Sequence, residues 1–184
     1  MASENQRIIK ELREDHRNMA VVLDVLSETL EQAKADEDPD FELVEEIMRY
    51  MTVYPDAVHH PKEDILYAKL EKQRPDLTDG LDDVDKDHHE IAALGTALRD
   101  DVDAIVAGAA VRREQFVADC EQYVRRLREH MQWEETDLFG RIDEMLAKDS
   151  ASTDLEQYMH IKDPVFELEV ESAFRRLMAS LKNA

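Results

Sequence analysis

The sequence predicts an all-α fold: an antiparallel up-down-up-down four-helix bundle with an additional C-terminal helix. Three observations carry it. Apolar residues recur at helical spacing through four long segments. The 184 residues include only 4 Gly and 5 Pro, too few for a many-turn sheet fold, while Glu, Ala, Leu, Arg and Lys dominate. Histidines occupy mid-segment positions in all four segments, where a bundle brings its helices to one level.

The first helix covers residues 3–36. Its apolar stripe is Ile8, Ile9, Leu12, Met19, Val22, Leu23, Leu26 and Leu30, and the acidic turn Asp36-Glu37-Asp38-Pro39-Asp40 closes it. The second starts at Phe41, carries Val44, Ile47, Met51, Leu66 and Leu70, and stops before Arg74-Pro75. The third follows Thr78-Asp79-Gly80, carries Leu81, Val84, Ile91, Leu94 and Leu98, and ends near Gly108. The fourth covers residues 112–148, with Phe116, Cys120, Val124, Leu127, Leu138, Ile142 and Leu146 as its stripe. Short connections make sequential helices antiparallel neighbours, so residues 3–148 form the bundle. Residues 149–184 form a tail: a short helix at 154–159, an Asp163-Pro164 turn and an amphipathic helix at 166–181. That helix is expected to pack on its own bundle, on a second copy of the chain or on another protein.

A formal charge of −21, from 44 acidic and 23 basic residues, repels phosphate backbones and anionic lipid heads. Nucleic-acid and membrane roles are therefore not expected. Most of the excess reads as solvated helix face, and part of it can offset bound cations. The single cysteine, Cys120, forms no intrachain disulfide and sits in register with Leu127 as a core residue. With neither a basic-then-apolar leader nor a run of 18 apolar residues, the expected location is the cytoplasm.

Six of the seven histidines lie in the four helices; the seventh, His160, falls outside them and is expected at the surface. His16 has Leu12 four residues before it and Met19 three after. His88 has Val84 and Ile91 at the same offsets, and an aspartate, Asp15 or Asp87, precedes each. His89 is off that stripe. The second helix reads His59-His60-Pro61-Lys62-Glu63-Asp64 and the fourth His130-Met131-Gln132-Trp133-Glu134-Glu135. Residues four apart share a helix face, so imidazole and carboxylate can bind one metal, or the carboxylate can bridge two. One His-x-x-x-Glu is weak; two in matching context on alternate helices are strong. Buried imidazoles and carboxylates are costly without a charge-balancing partner. Nitrogen and oxygen donors without thiolate suit iron, manganese or zinc, as one ion or as a pair.

Pro55 and Pro61 predict a kink beside these residues. Gly95 reads as a close-packing position, Trp133 as core or rim, and Tyr54 and Tyr67 as donors near a metal-bound group.

On Asp15-His16-Arg17, the stretch from Tyr54 to Asp64, Asp87-His88 and His130 to Glu135, the chain resembles the hemerythrin-like proteins, the bacterial group with HHE cation-binding domains. Asp163-Pro164-Val165-Phe166 is similar to a tail signature of one subgroup. The resemblance implies a diiron centre bridged by oxo or hydroxo and two carboxylates, with one iron position open. It implies His16, His59, Glu63, His88, His130 and Glu134 as ligands. The oxygen carriers of that group have a second histidine four residues from the one matched by His88, where this chain has Val84. Water, His60 or His89 is left to fill that place. In the carriers the fourth-helix acid follows its histidine by five residues, so Glu135 competes with Glu134 and Asp64 with Glu63. The resemblance implies a protein that binds or senses dioxygen, nitric oxide or peroxide. The alternatives are a diiron enzyme (ferroxidase, peroxide or nitric-oxide scavenging), an iron storage or repair protein, and a bundle holding structural metal.

Overall fold

A computed structural model describes residues 4–35, 37–148, 163–166 and 172–182 of the chain. Among these residues every regular element is helical. The first bundle helix is α1 (Glu4–Lys34). The second is α2 (Phe41–Tyr54), a wide π turn (Pro55–His59) and α3 (His60–Gln73). The third is α4 (Leu81–Val106). The fourth is α5 (Arg113–Trp133), a second π turn (Glu134–Leu138) and α6 (Phe139–Lys148). Helix α7 (Arg175–Leu181) follows a single 3-10 turn. Helix α2 packs against α4, α4 against α5, and α1 against α5, α6 and α2, which closes the four-membered ring. No described helix is long and apolar enough to cross a membrane.

Local chemistry sets the joints. Asp40 accepts a hydrogen bond from the Leu43 amide at 3.1 Å and starts α2. Gly80 takes φ +85° in the turn before α4, where a Cβ would stand 2.8 Å from the Trp133 ring. The expected kink in the second helix is the π turn. The His60 amide reaches back five residues to the Pro55 carbonyl, and Pro61 then sits in the first turn of α3, where a missing N–H is harmless. The fourth helix has a matching turn, closed by the Phe139 amide on the Glu134 carbonyl, with no proline to announce it.

The interior divides into two apolar clusters. Met19, Leu23, Leu26, Val44, Ile47, Met48, Leu98 and Tyr123 fill one end. Leu12, Leu66, Leu70, Val84, Leu138, Phe139 and Ile142 fill the other. His16 lies between Leu12 and Met19, and His88 between Val84 and Ile91, so a polar layer separates the two. Cys120 is fully buried in the first cluster, and burial, then Asp119 and Glu121, pushes its thiol up to about 12. It is a core residue, as its register predicts. Gly95 is a packing position: a Cβ there would meet Tyr123 at 3.0 Å and Thr52 at 3.2 Å.

The described part of the tail lies on its own bundle. Helix α7 packs on α2 and α1, with Leu177 and Phe174 buried. The Leu177 amide donates to Glu46 at 2.9 Å, and Arg176 pairs with Asp40 and Glu42. The expected short helix at 154–159, and His160, lie outside the described residues.

Candidate metal centre

Seven side chains converge in the polar layer. Helix α1 supplies His16; the first π turn and α3 supply His59, His60 and Glu63; α4 supplies His88; α5 and the second π turn supply His130 and Glu134. All seven are buried, and both glutamates are wholly so. Their donor atoms gather into three overlapping groups, each within 4.8 Å: His16, His59 and Glu63; Glu63, His88 and Glu134; and His60, His88 and His130.

The glutamates lie between the imidazoles. Glu63 Oε1 is 3.2 Å from His59 Nε2 and 3.6 Å from His16 Nε2, while Glu63 Oε2 is 3.7 Å from His88 Nε2. Glu134 Oε2 is 3.3 Å from His130 Nε2 and 3.4 Å from His16 Nε2, and Glu134 Oε1 is 3.8 Å from His88 Nε2. Tyr67 donates a 2.6 Å hydrogen bond to Glu134 Oε1, the role its position suggests.

Each imidazole turns its Nδ1 outward to a carboxylate. Asp15 lies 3.2 Å from that atom of His59, Asp56 3.2 Å from that of His60, and Glu135 3.1 Å from that of His16. Asp64 stands 3.8 Å from His88 and Asp87 3.7 Å from His130. An acid on the outer nitrogen fixes ring orientation and makes the inner nitrogen a better donor to a cation. Phe139 stacks on His16 at 5.2 Å, and Arg13 lies over Phe139 while bonding Glu135, which clamps His16 from outside.

The inner atoms fit a cation. His16 Nε2, both oxygens of Glu63, His88 Nε2, His130 Nε2 and Glu134 Oε2 are buried without a hydrogen-bond partner, as is the outward His130 Nδ1. Seven such atoms in one layer are far too costly for a purely structural core. They are donors without thiolate, arranged around shared carboxylates, and are compatible with metal binding.

The electrostatics agree. Burial opposes charge on His16, but Glu134, Glu135 and Glu63 outweigh it and hold its pKa well above the usual value. His59 and His88 are likewise raised against burial, the first by Glu63 and Asp15, the second by Glu134 and Glu63. Burial, with His88 beside it, lowers His60 despite Asp56; burial also lowers His130 despite Glu134. Burial, and for Glu134 also Glu63, works against both carboxylates, yet the surrounding imidazoles hold both below the usual glutamate value.

The structure brings together all six residues named as ligands by the resemblance, and adds His60. The π turn explains the addition. Consecutive residues on a straight α-helix do not share a face, so one of His59 and His60 would turn away. The wide turn enlarges the inward face, and both are buried. The other alternates lie elsewhere. His89 is exposed with its Nδ1 on the Asp85 carbonyl, Asp64 is half-exposed, and Glu135 faces the outer nitrogen of His16. Of the acids on the outer nitrogens, Asp15 and Asp87 were noticed only as residues preceding a histidine. Asp56 gave no signal beyond its place four residues before His60.

A cleft of about 470 Å³ opens beside His16 between α1 and α5, lined by Arg13, Arg17, Arg128, Gln132 and Glu135. A smaller one, about 180 Å³, reaches His60 and His88 from the α3–α4 side.

A family model of the hemerythrin HHE cation-binding domain matches residues 7–142. Searches of curated proteins and of solved structures returned no match. The matched span runs from the first turn of α1 into α6 and contains all seven converging side chains, and on that match the chain belongs to the hemerythrin HHE cation-binding family.

Proposed function

We propose that the protein binds two iron ions and uses them to bind or sense a small ligand such as dioxygen, nitric oxide or peroxide. The observation that carries this reading is the set of donor groups: His16 and His59 with Glu63, the three imidazoles of His60, His88 and His130, and a third group, Glu63, His88 and Glu134, that overlaps both. In this reading His16 and His59 would hold one ion and His60, His88 and His130 the other, with Glu63 and Glu134 as the shared carboxylate ligands. His60 takes the place left by Val84, so neither ion lacks protein nitrogen. Iron bound by the two-imidazole group would supply the Lewis-acid chemistry for binding a diatomic ligand or peroxide.

The protein's own residues prepare that group. The cleft beside His16 gives an approach from solvent, and of the arginines lining it Arg13 pairs with Glu135 and Arg128 with Asp24. Tyr67 orients Glu134, and Glu135 with Arg13 orients His16. Leu12, Phe139 and Met19 border the layer and exclude bulk water. The nitrogen and oxygen donors favour iron over a thiolate-type zinc site; manganese and zinc are the competitors to exclude.

Elemental analysis of the purified chain tests the reading. Two irons per chain, with near-ultraviolet charge-transfer bands of an oxo-bridged ferric pair, are the expected result. Metal-free protein, or zinc alone, would sink it. Rapid turnover of peroxide or nitric oxide, lost in Glu134→Ala, would move the reading from binding to catalysis.

A further inference from the structure

Asp163, in the tail, is a buried carboxylate far in sequence from the metal layer. Its Oδ1 accepts from the amides of Val165 at 2.8 Å and Phe166 at 3.1 Å, and its Oδ2 accepts from the Tyr50 hydroxyl at 2.8 Å. The Tyr50 ring stacks on Tyr54, with centroids 5.7 Å apart and planes 8° from parallel. The Tyr54 hydroxyl donates to Asp15 Oδ1 at 3.1 Å. Asp15 Oδ2 lies 3.2 Å from His59 Nδ1, and His59 Nε2 lies 3.2 Å from Glu63. Five buried side chains thus join the tail to one imidazole of the candidate centre through three polar contacts and one ring stack.

We propose that Asp163, Tyr50 and Tyr54 are positioning residues of the metal centre, acting through Asp15 on His59. The inference rests on the metal reading above. Leu177, Phe174 and Val165 by burial, and the Leu177 amide on Glu46 with Arg176 on Asp40 and Glu42, already dock the tail without Asp163. A buried carboxylate adds a desolvation cost and is retained where direction matters, because a hydrogen bond fixes an angle and apolar packing does not. Asp163 sets the Tyr50 hydroxyl. The tail rings of Phe166 and Phe174, 6.2 and 6.4 Å from Tyr50, hold its plane. That plane seats Tyr54, and the Tyr54 hydroxyl with Lys62, 3.5 Å away, fixes the Asp15 carboxylate that faces His59. The effect is confined to the two-imidazole group. His60, His88 and His130 are faced by Asp56, Asp64 and Asp87, all on bundle helices.

The test uses the full chain loaded with cobalt(II), followed by its absorption bands while EDTA extracts the metal. Tyr50→Phe and Asp163→Asn are each expected to speed release of one cobalt equivalent about tenfold, leaving the second at the wild-type rate. Combined with Asp15→Asn, either change is expected to add less than its separate effect. Leu177→Ala, which loosens the tail while leaving every contact of the Asp163–Tyr50–Tyr54–Asp15 chain in place, is expected to lower Tm with no selective release. The proposal is overturned if extraction stays at the wild-type rate in both variants, or if both equivalents speed up together as Tm falls. It is also overturned if Leu177→Ala reproduces the selective release. A wild-type chain that takes up no metal overturns the metal reading itself, and this inference with it.

Discussion

The imidazoles of His60 and His88 stack with centroids 4.1 Å apart and planes 19° from parallel. One comes from the first residue of α3 and the other from the middle of α4. Two rings this close, both beside His130, make a three-nitrogen group that a straight second helix could not have assembled. His60→Ala is therefore expected to lower metal content from two equivalents toward one, with helicity unchanged. His89→Ala, on an exposed face, is expected to retain both. Elemental analysis beside circular dichroism checks the pair, and full loading in His60→Ala would remove His60 from the site.

Asp15 is expected to matter as much as some ligands. Its carboxylate faces His59 Nδ1, and burial, which works against its charge, is outweighed by His59, Lys62 and Tyr54. Asp15→Asn is expected to weaken metal binding by about 10–100-fold, the usual range for an acid that orients a ligating histidine. Competition with a chelator of known affinity measures it.

Metal binding is expected to strengthen as pH rises. His16, His59 and His88 have raised pKa values in the folded chain, relative to 6.5, so their stabilising protonation is complete below that value and lost as pH climbs through the raised ones. Glu63 and Glu134 behave oppositely: held below 4.5, they stabilise above it and lose that contribution as pH falls toward about 2 for Glu134. A cation takes the same imidazole nitrogens as the proton, so the two compete. The rise in Tm on adding cobalt(II) should be larger at pH 8 than at pH 6. Equal shifts at both would contradict a histidine-rich site.

Gly80→Ala is expected to destabilise the metal-free bundle by about 1–3 kcal/mol, from left-handed backbone strain and displacement of Trp133. Urea denaturation measures the loss, and a neutral effect would mean the turn before α4 rearranges freely.

Leu66→Ala removes a fully buried side chain next to the polar layer and should cost about 2–5 kcal/mol by the same measurement.

Much of the site was legible in the chain. Helical spacing around His16 and His88 showed which way each imidazole faces, and the repeated His-x-x-x-Glu marked Glu63 and Glu134. The competition between adjacent acids was not legible, because neighbouring positions on one helix differ only by rotation. The structure separates them, with Glu63 and Glu134 inside, Asp64 half-exposed and Glu135 turned to His16.

By itself the sequence determined the four bundle helices, their order and the level at which the histidines meet. These follow from periodicity and from covalent spacing within one helix, which are local properties. Of the tail helix expected at 166–181, the described residues are helical only from Arg175 to Leu181, after a turn at Phe166 and a 3-10 turn. Only the tertiary structure decided that His60 joins the layer, that each imidazole meets an acid on its outer nitrogen, and that α7 lies on its own bundle. Those outcomes depend on a π turn that changes helical rotation and on contacts between residues as distant as Tyr50 and Asp163. No periodicity within a single helix encodes such pairings, because they exist only once the helices have packed.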